Sequence, residues 1–327
     1  MARENYMMDN KTIYKKTLGF SLRRLLWDFI SLILILGVAT LGFVLAEKKW
    51  DNGLIGLLIG AILAIIVMAI ITHFISYALK AGQIAMMTKG ITDGELPDNV
   101  IAEGKKVVKQ RFKTVAAYFA ITGVIKGIFN QIGKGITKVG EGIGGEAGGA
   151  IGSTISSILQ TIVSYLCDCC LGWVFFRSTV SASKATCEGA VLFFKHGKTF
   201  GKNMGRIFGI GLISFVLIVG VVGGIAYLIL STQSGALSGV YTEIAQWVQE
   251  SDSSITWLNT TTIPLFFAAL GGIIIWSFIH STFIRPFVLV GVLRNYIESG
   301  KNDIPAEDSF ELLDAKSPKF KKLHGEI

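Results

Sequence analysis

Apolar residues along this chain come in long unbroken runs rather than in the two-residue alternation of half-buried strands, and polar, mostly basic segments separate the runs. Six runs approach the ~20 residues a helix needs to cross a hydrocarbon core. They lie at 25–46, 54–79, 114–132, 155–176, 207–230 and 262–284. The pattern predicts an all-α, polytopic integral membrane bundle of about six transmembrane helices in three hairpins. A basic N-terminal segment 1–24 precedes the transmembrane domain 25–284, and a C-terminal tail 285–327 follows it. The third run is the least regular. It carries Lys126, Asn130 and Gln131 and passes without a stop signal into a glycine-rich segment, 133–152.

Charge assigns a side to each loop. An N-in, six-span topology places 1–24, 80–113, 177–206 and 285–327 together, and these segments hold 26 of the 31 Lys and Arg residues. The bias marks that side as cytoplasmic and the protein as a multi-pass protein of the cell membrane with both termini inside. The loop 231–261 has Glu243, Glu250 and Asp252 but no Lys or Arg, and reads as external. Within it Val240, Ile244, Trp247 and Val248 recur at helical spacing, so Gly239 to Gln249 is expected to form an amphipathic helix. Trp27 and Trp173 near inner ends, and Trp50 and Trp257 near outer ends, are expected to act as head-group anchors. The polar start 1–24 lacks the apolar core of a secretory signal, leaving that task to the first span. Residues after Ser299 mix Lys with acidic groups, Gly and Pro, and are expected to form a mobile tail.

Three basic, Phe-containing stretches lead towards spans: Lys16 to Arg24, Glu103 to Phe112 and Glu188 to Lys195. They are expected to be amphipathic elbows on the inner surface, one before each hairpin of a diverged repeat. Gly140, Gly144, Gly148 and Gly152 stand four residues apart, a spacing that on a helix forms one stripe and lets a second backbone approach. The stripe either seals the third and fourth spans into a hairpin or joins neighbouring subunits of a homo-oligomer. The charges of Lys134, Lys138, Glu141 and Glu146 oppose a lipid-facing position for this segment, part of which is alternatively an external loop.

The composition, 51% hydrophobic with a mean hydropathy of +0.56, agrees with a membrane chain of 327 residues. A net charge of +8 would suggest nucleic acid in a soluble domain, but here the basic residues flank apolar runs. Their expected partners are anionic lipid head groups of the inner leaflet, and no nucleic acid. Chemistry-bearing residues are sparse. No phosphate loop, nucleophile elbow or paired-His motif occurs in the sequence, and no cofactor or enzymatic activity is expected. Cys167, Cys169, Cys170 and Cys187 avoid the external loops, which argues against a disulfide framework, and their spacing makes a poor zinc site. Charged groups within the apolar runs carry more information, because placing one in hydrocarbon costs at least ~2.5 kcal/mol. Asp28 lies one helical turn after Arg24, which explains it. Lys126 lies ~18 Å and Asp168 ~12 Å from the inner boundary by helical rise. That spacing allows an ion pair, which either locks the third span to the fourth or lines a hydrated path with Gln160 and Ser164.

Phe176-Arg177-Ser178, Cys187-Glu188-Gly189-Ala190-Val191-Leu192-Phe193-Phe194 and Phe208-Gly209-Ile210-Gly211-Leu212-Ile213 resemble the C-terminal part of choline transporter-like proteins. So does the closing pattern from Phe283-Ile284-Arg285-Pro286-Phe287 through Lys319-Phe320-Lys321-Lys322-Leu323. The resemblance implies a transport protein, although members of that family have about ten spans and a large external domain, and it assigns no binding residue here. Two functional classes follow from the sequence. One is a transporter- or channel-like bundle acting as an oligomer, for which polar faces should align across several spans. The other is a non-conducting scaffold or assembly protein, for which apolar spans should meet through small residues.

Overall fold

A computed structural model describes residues 8–113, 115–141, 148–251 and 255–327. Asp9 opens the first helix by accepting the Thr12 amide at 2.9 Å, and α1 then runs unbroken over Asn10–Trp50. Asp51, in the left-handed conformation at φ 53°, turns the chain, and Asn52 caps α2, Gly53–Thr92. Neither helix contains proline, and each extends over about 60 Å, twice the hydrocarbon thickness. The excess length has a purpose visible in burial. Leu26, Ile33, Leu41 and Leu45 of α1 and Leu58, Ile62, Ile66 and Ile70 of α2 are exposed, as lipid-facing residues are. Ile13 and Phe20 of α1, and Ile84, Met86 and Met87 of α2, are completely buried at the other end. The stretch Lys16 to Arg24 is therefore no separate elbow but the continuation of the first apolar run within one helix.

The hairpin closes on small residues. A Cβ on Gly42 would strike the Gly56 carbonyl, one on Gly56 would strike the Gly42 carbonyl, and one on Gly60 would lie 2.9 Å from the Val38 oxygen. Backbones touch there as in other glycine-mediated membrane helix pairs. Polar links sit nearer the buried end: Ser31 and Thr72 share a hydroxyl hydrogen bond at 2.7 Å, and Gln83 donates to the Ser21 hydroxyl at 2.8 Å.

Beyond α2, the segments expected to lie on the cytoplasmic side fold together into one packed body. Helix α3, Val100–Phe112, ends at Lys113, which has a positive φ of 51°, and α4 follows over Val115–Glu141. Then come α5, Gly148–Phe176, and α6, Ala182–Lys195. Gly82 and Gly104 enclose the Phe20 ring between α1, α2 and α3. Arg111 of α3 donates to the carbonyls of Val180 and Arg177, holding the turn after α5. Trp173 is fully buried rather than a head-group anchor, because its indole N–H donates to Glu188 at 3.1 Å. Arg177 completes the arrangement with a bidentate pair to the same carboxylate at 2.8 and 3.0 Å, which raises the guanidinium pKa above its ordinary value.

The two compact units are Met1–Met204 with Pro286–Ile327, and Gly205–Arg285. In the second, the later part of α7, Gly197–Thr232, packs on α9, Ile263–Ile279, again through small residues: Gly223 faces the Ala268 carbonyl and Gly272 the Val219 carbonyl. The expected amphipathic helix is present as α8, Ser234–Ser251, with Tyr241 and Ala245 buried against Ile263. A π-helical turn, His280–Ile284, leads from α9 into α10, Arg285–Asn302.

The residues after Ser299, expected to be mobile, are folded. A 3₁₀ turn, Glu307–Phe310, leads into α11, Glu311–Asp314, and α12, Pro318–His324. Phe310, Leu313, Phe320 and Leu323 form a core with Ile128 of α4 and Cys187, Ala190 and Val191 of α6. Gln131 accepts from the Ser317 hydroxyl at 2.6 Å and the Lys319 amide at 3.3 Å. Burial beside Asp314 and Glu188 pushes the Cys187 thiol up to about 12.

Among the described residues four helices are long and apolar enough to cross a membrane: Asn10–Trp50, Ile55–Thr92, Gly209–Thr232 and Ile263–Asn302. A fifth arises only if α3 and α4 are counted as one span bent by 81°, and the apolar part of α5, Gln160–Phe176, is shorter. The chain is thus all-helical among its described residues, and its long apolar helices are those of an integral membrane protein.

Candidate functional site

Three helices each contribute one stripe of residues to a cavity of about 730 Å³. From α2 come His73, Tyr77 and Lys80, from α4 Tyr118, Phe119, Thr122, Gly123, Ile125, Lys126 and Asn130, and from α5 Gln160, Val163, Ser164, Cys167, Asp168 and Leu171. The spacing of three and four residues within each set is that of one helix face. The volume lies within the ~300–1,000 Å³ usual for small-molecule sites.

The cavity has an aromatic wall and a charged one. On the first, Phe119 stacks on the His73 ring at 5.6 Å and meets Tyr77 edge-on at 5.3 Å, and Tyr118 donates its hydroxyl to the Tyr77 carbonyl at 3.4 Å. These contacts dock the start of α4 onto α2 close to the point where α2 passes from exposed to buried. On the second wall Lys80 Nζ meets Asp168 Oδ1 at 2.5 Å, the Asp168 side chain being only 4% exposed. A buried carboxylate needs such a counter-charge, and the pair fixes α5 against α2.

All four residues expected to line a path or pair inside the membrane, Lys126, Asp168, Gln160 and Ser164, border this one cavity. The ion pair differs from the expectation. Asp168 takes Lys80 as its partner, and Lys126 stands exposed on the α4 wall. Lys80 reads as a loop residue because it follows the last apolar position of the second run, yet α2 carries it onward as a helical residue. His73, Tyr77, Tyr118 and Asn130 were also missed as site residues, although Phe119, Thr122, Gly123, Lys126 and Asn130 repeat on one face and give a usable signal.

Of the glycine stripe, Gly140 belongs to α4 and Gly148 and Gly152 to α5. Gly144 and the surroundings of all four lie outside the described residues. Among the described glycines the closest backbone approach is that of Gly42 and Gly56, and Gly60 follows on Val38. Cys167, Cys169, Cys170 and Cys187 are free thiols. Among the described residues no group of three or more His, Cys, Asp or Glu side chains is arranged to hold a metal ion. No protein-family model, curated protein or solved structure matches the chain.

Proposed function

We propose that this protein is a non-conducting membrane protein of the scaffold or assembly class, which presents a polar binding cavity at the inner edge of the bilayer. One observation carries the reading. The lipid-facing halves of α1 and α2 meet backbone to backbone at Gly42 and Gly56, leaving no polar path between them, while the polar groups gather where α2 passes from lipid into the folded inner core. Such a hairpin anchors and orients a binding site.

The topology that fits this reading has four crossings, with α4 and α5 remaining on the inner side. Ile128 and Gln131 of α4 are held by the C-terminal segment, which supports a shared side for the two. All but Lys48 and Lys49 of the 31 Lys and Arg residues then lie inside, a stronger bias than six spans provide. The cell membrane remains the proposed location, with both termini cytoplasmic. A homo-oligomer would rest on the stripe from Gly140 to Gly152.

A transporter-like reading has its own support, since Lys126, Asp168, Gln160 and Ser164 share one cavity. Reconstitution into sealed proteoliposomes tests the choice. Solute release and conductance equal to those of protein-free vesicles are expected. Flux that Lys126→Met or Asp168→Asn abolishes would replace this reading with transport.

A further inference from the structure

We infer that the cavity between α2, α4 and α5 binds the phosphate-ester head group of an anionic phospholipid. The inference rests on the reading of the cavity as a non-conducting binding site. Lys80 and Asp168 offset each other, so Lys126 leaves the cavity with a surplus positive charge. Lys126 lines the cavity from α4 together with Asn130, one turn along the same helix, and α5 adds the polar side chains of Gln160 and Ser164 to the lining. An ammonium in a cavity that also offers side-chain amide N–H groups suits an oxyanion and has little to offer a cation.

The surroundings select a lipid over a free solute. His73 and Tyr77 line the cavity, and Ile70, Ile71 and Phe74, on the adjoining turns of α2, are exposed apolar residues. A ligand with its phosphate at Lys126 can lay acyl chains along this exposed surface, against the ring cluster of His73, Phe74 and Phe119. A soluble phosphate ester shares the head-group chemistry but would leave that surface uncovered.

The test uses the full chain, purified in a neutral detergent. Phosphatidylglycerol, phosphatidylcholine and soluble glycerol 1-phosphate are compared by native mass spectrometry and by the shift in melting temperature. Phosphatidylglycerol should remain bound and raise the melting temperature with concentration, and the other two should do neither. Lys126→Met removes an exposed charge and keeps the Lys80–Asp168 pair, so the variant should fold with the wild-type melting temperature in detergent alone. Its phosphatidylglycerol affinity should fall about five-fold, the effect of roughly one lysine contact to an anionic lipid. Equal retention of phosphatidylcholine, or wild-type affinity in Lys126→Met, would overturn the inference. Binding of glycerol 1-phosphate alone would assign the cavity to a soluble phosphate ester and overturn the lipid assignment. Flux through proteoliposomes reports separately on the reading beneath it, so either can fail without the other.

Discussion

Asp168 is almost enclosed by protein, and Lys80 lies directly against its carboxylate. Removing one member of a buried pair leaves the other uncompensated, whereas removing both is far milder. Lys80→Met should therefore lower unfolding stability by about 3–5 kcal/mol, and Lys80→Met combined with Asp168→Asn should recover most of it. Denaturant titration of the variants in one detergent checks this, and equal losses in the single and double variants would show that the pair is not coupled. Cys187 gives a pH dependence of definite sign. Its folded pKa, pushed up to about 12, lies above the ordinary ~8.5, so the folded chain keeps a proton that the unfolded chain releases. The associated stability is complete below about pH 8.5 and is lost as pH rises from there towards the folded value. The denaturation midpoint of the native chain should fall more steeply between about pH 8.5 and 10 than that of Cys187→Ala. Much of the site was legible at this scale. Lys126, Gln160, Ser164 and Asp168 stand out as polar residues in apolar runs, and they share the cavity. The choice of Lys80 as partner was not legible, because hydropathy ends the second run one residue before it.

At the level of helices, the contact between α1 and α2 has no tolerance for a side chain at its centre. Gly56→Val would drive methyl groups into the Gly42 backbone, which cannot yield as a flexible side chain can, and should cost about 1–3 kcal/mol or more. Gly37→Ala is the matched control: nothing lies within 4 Å of its added Cβ, and the gain in helix propensity should leave stability unchanged or up to about 1 kcal/mol higher. The melting temperature should fall for Gly56→Val and hold or rise for Gly37→Ala. The C-terminal helices give a second expectation. With residues 305–327 removed, Cys187 loses its cover of Phe310, Leu313 and Phe320 and should react readily with a maleimide that leaves it untouched in the intact chain. The long apolar helices were plain from hydropathy, and the amphipathic loop helix from its periodicity. Helices α11 and α12 were not, because each is too short to show a period, and their few apolar residues are scattered among lysines and carboxylates. Only the groove between α4 and α6 turns Phe310 and Phe320 into core residues.

For the molecule as a whole, the decisive unknown in the sequence was the third apolar run. Composition alone allows Lys126, Asn130 and Gln131 in a span, and the ties from Gln131 to Ser317 and Lys319 are too distant in sequence to anticipate. A four-crossing chain predicts that Lys134→Cys and Lys301→Cys, each in a background without other cysteines, are labelled from the same face of sealed vesicles. Labelling from opposite faces would restore six crossings. The length of α1 and α2 has a mechanical meaning. Two uninterrupted helices of about 60 Å, in backbone contact near one end and folded into the packed core at the other, have no joint along their length. A bilayer too thin for them would tilt the pair, and a tilt of about 10° displaces the end of a 30 Å arm by about 5 Å. Lys80 and Asp168 both belong to the core that this arm carries, so such a tilt would swing the cavity as one body rather than part the two residues.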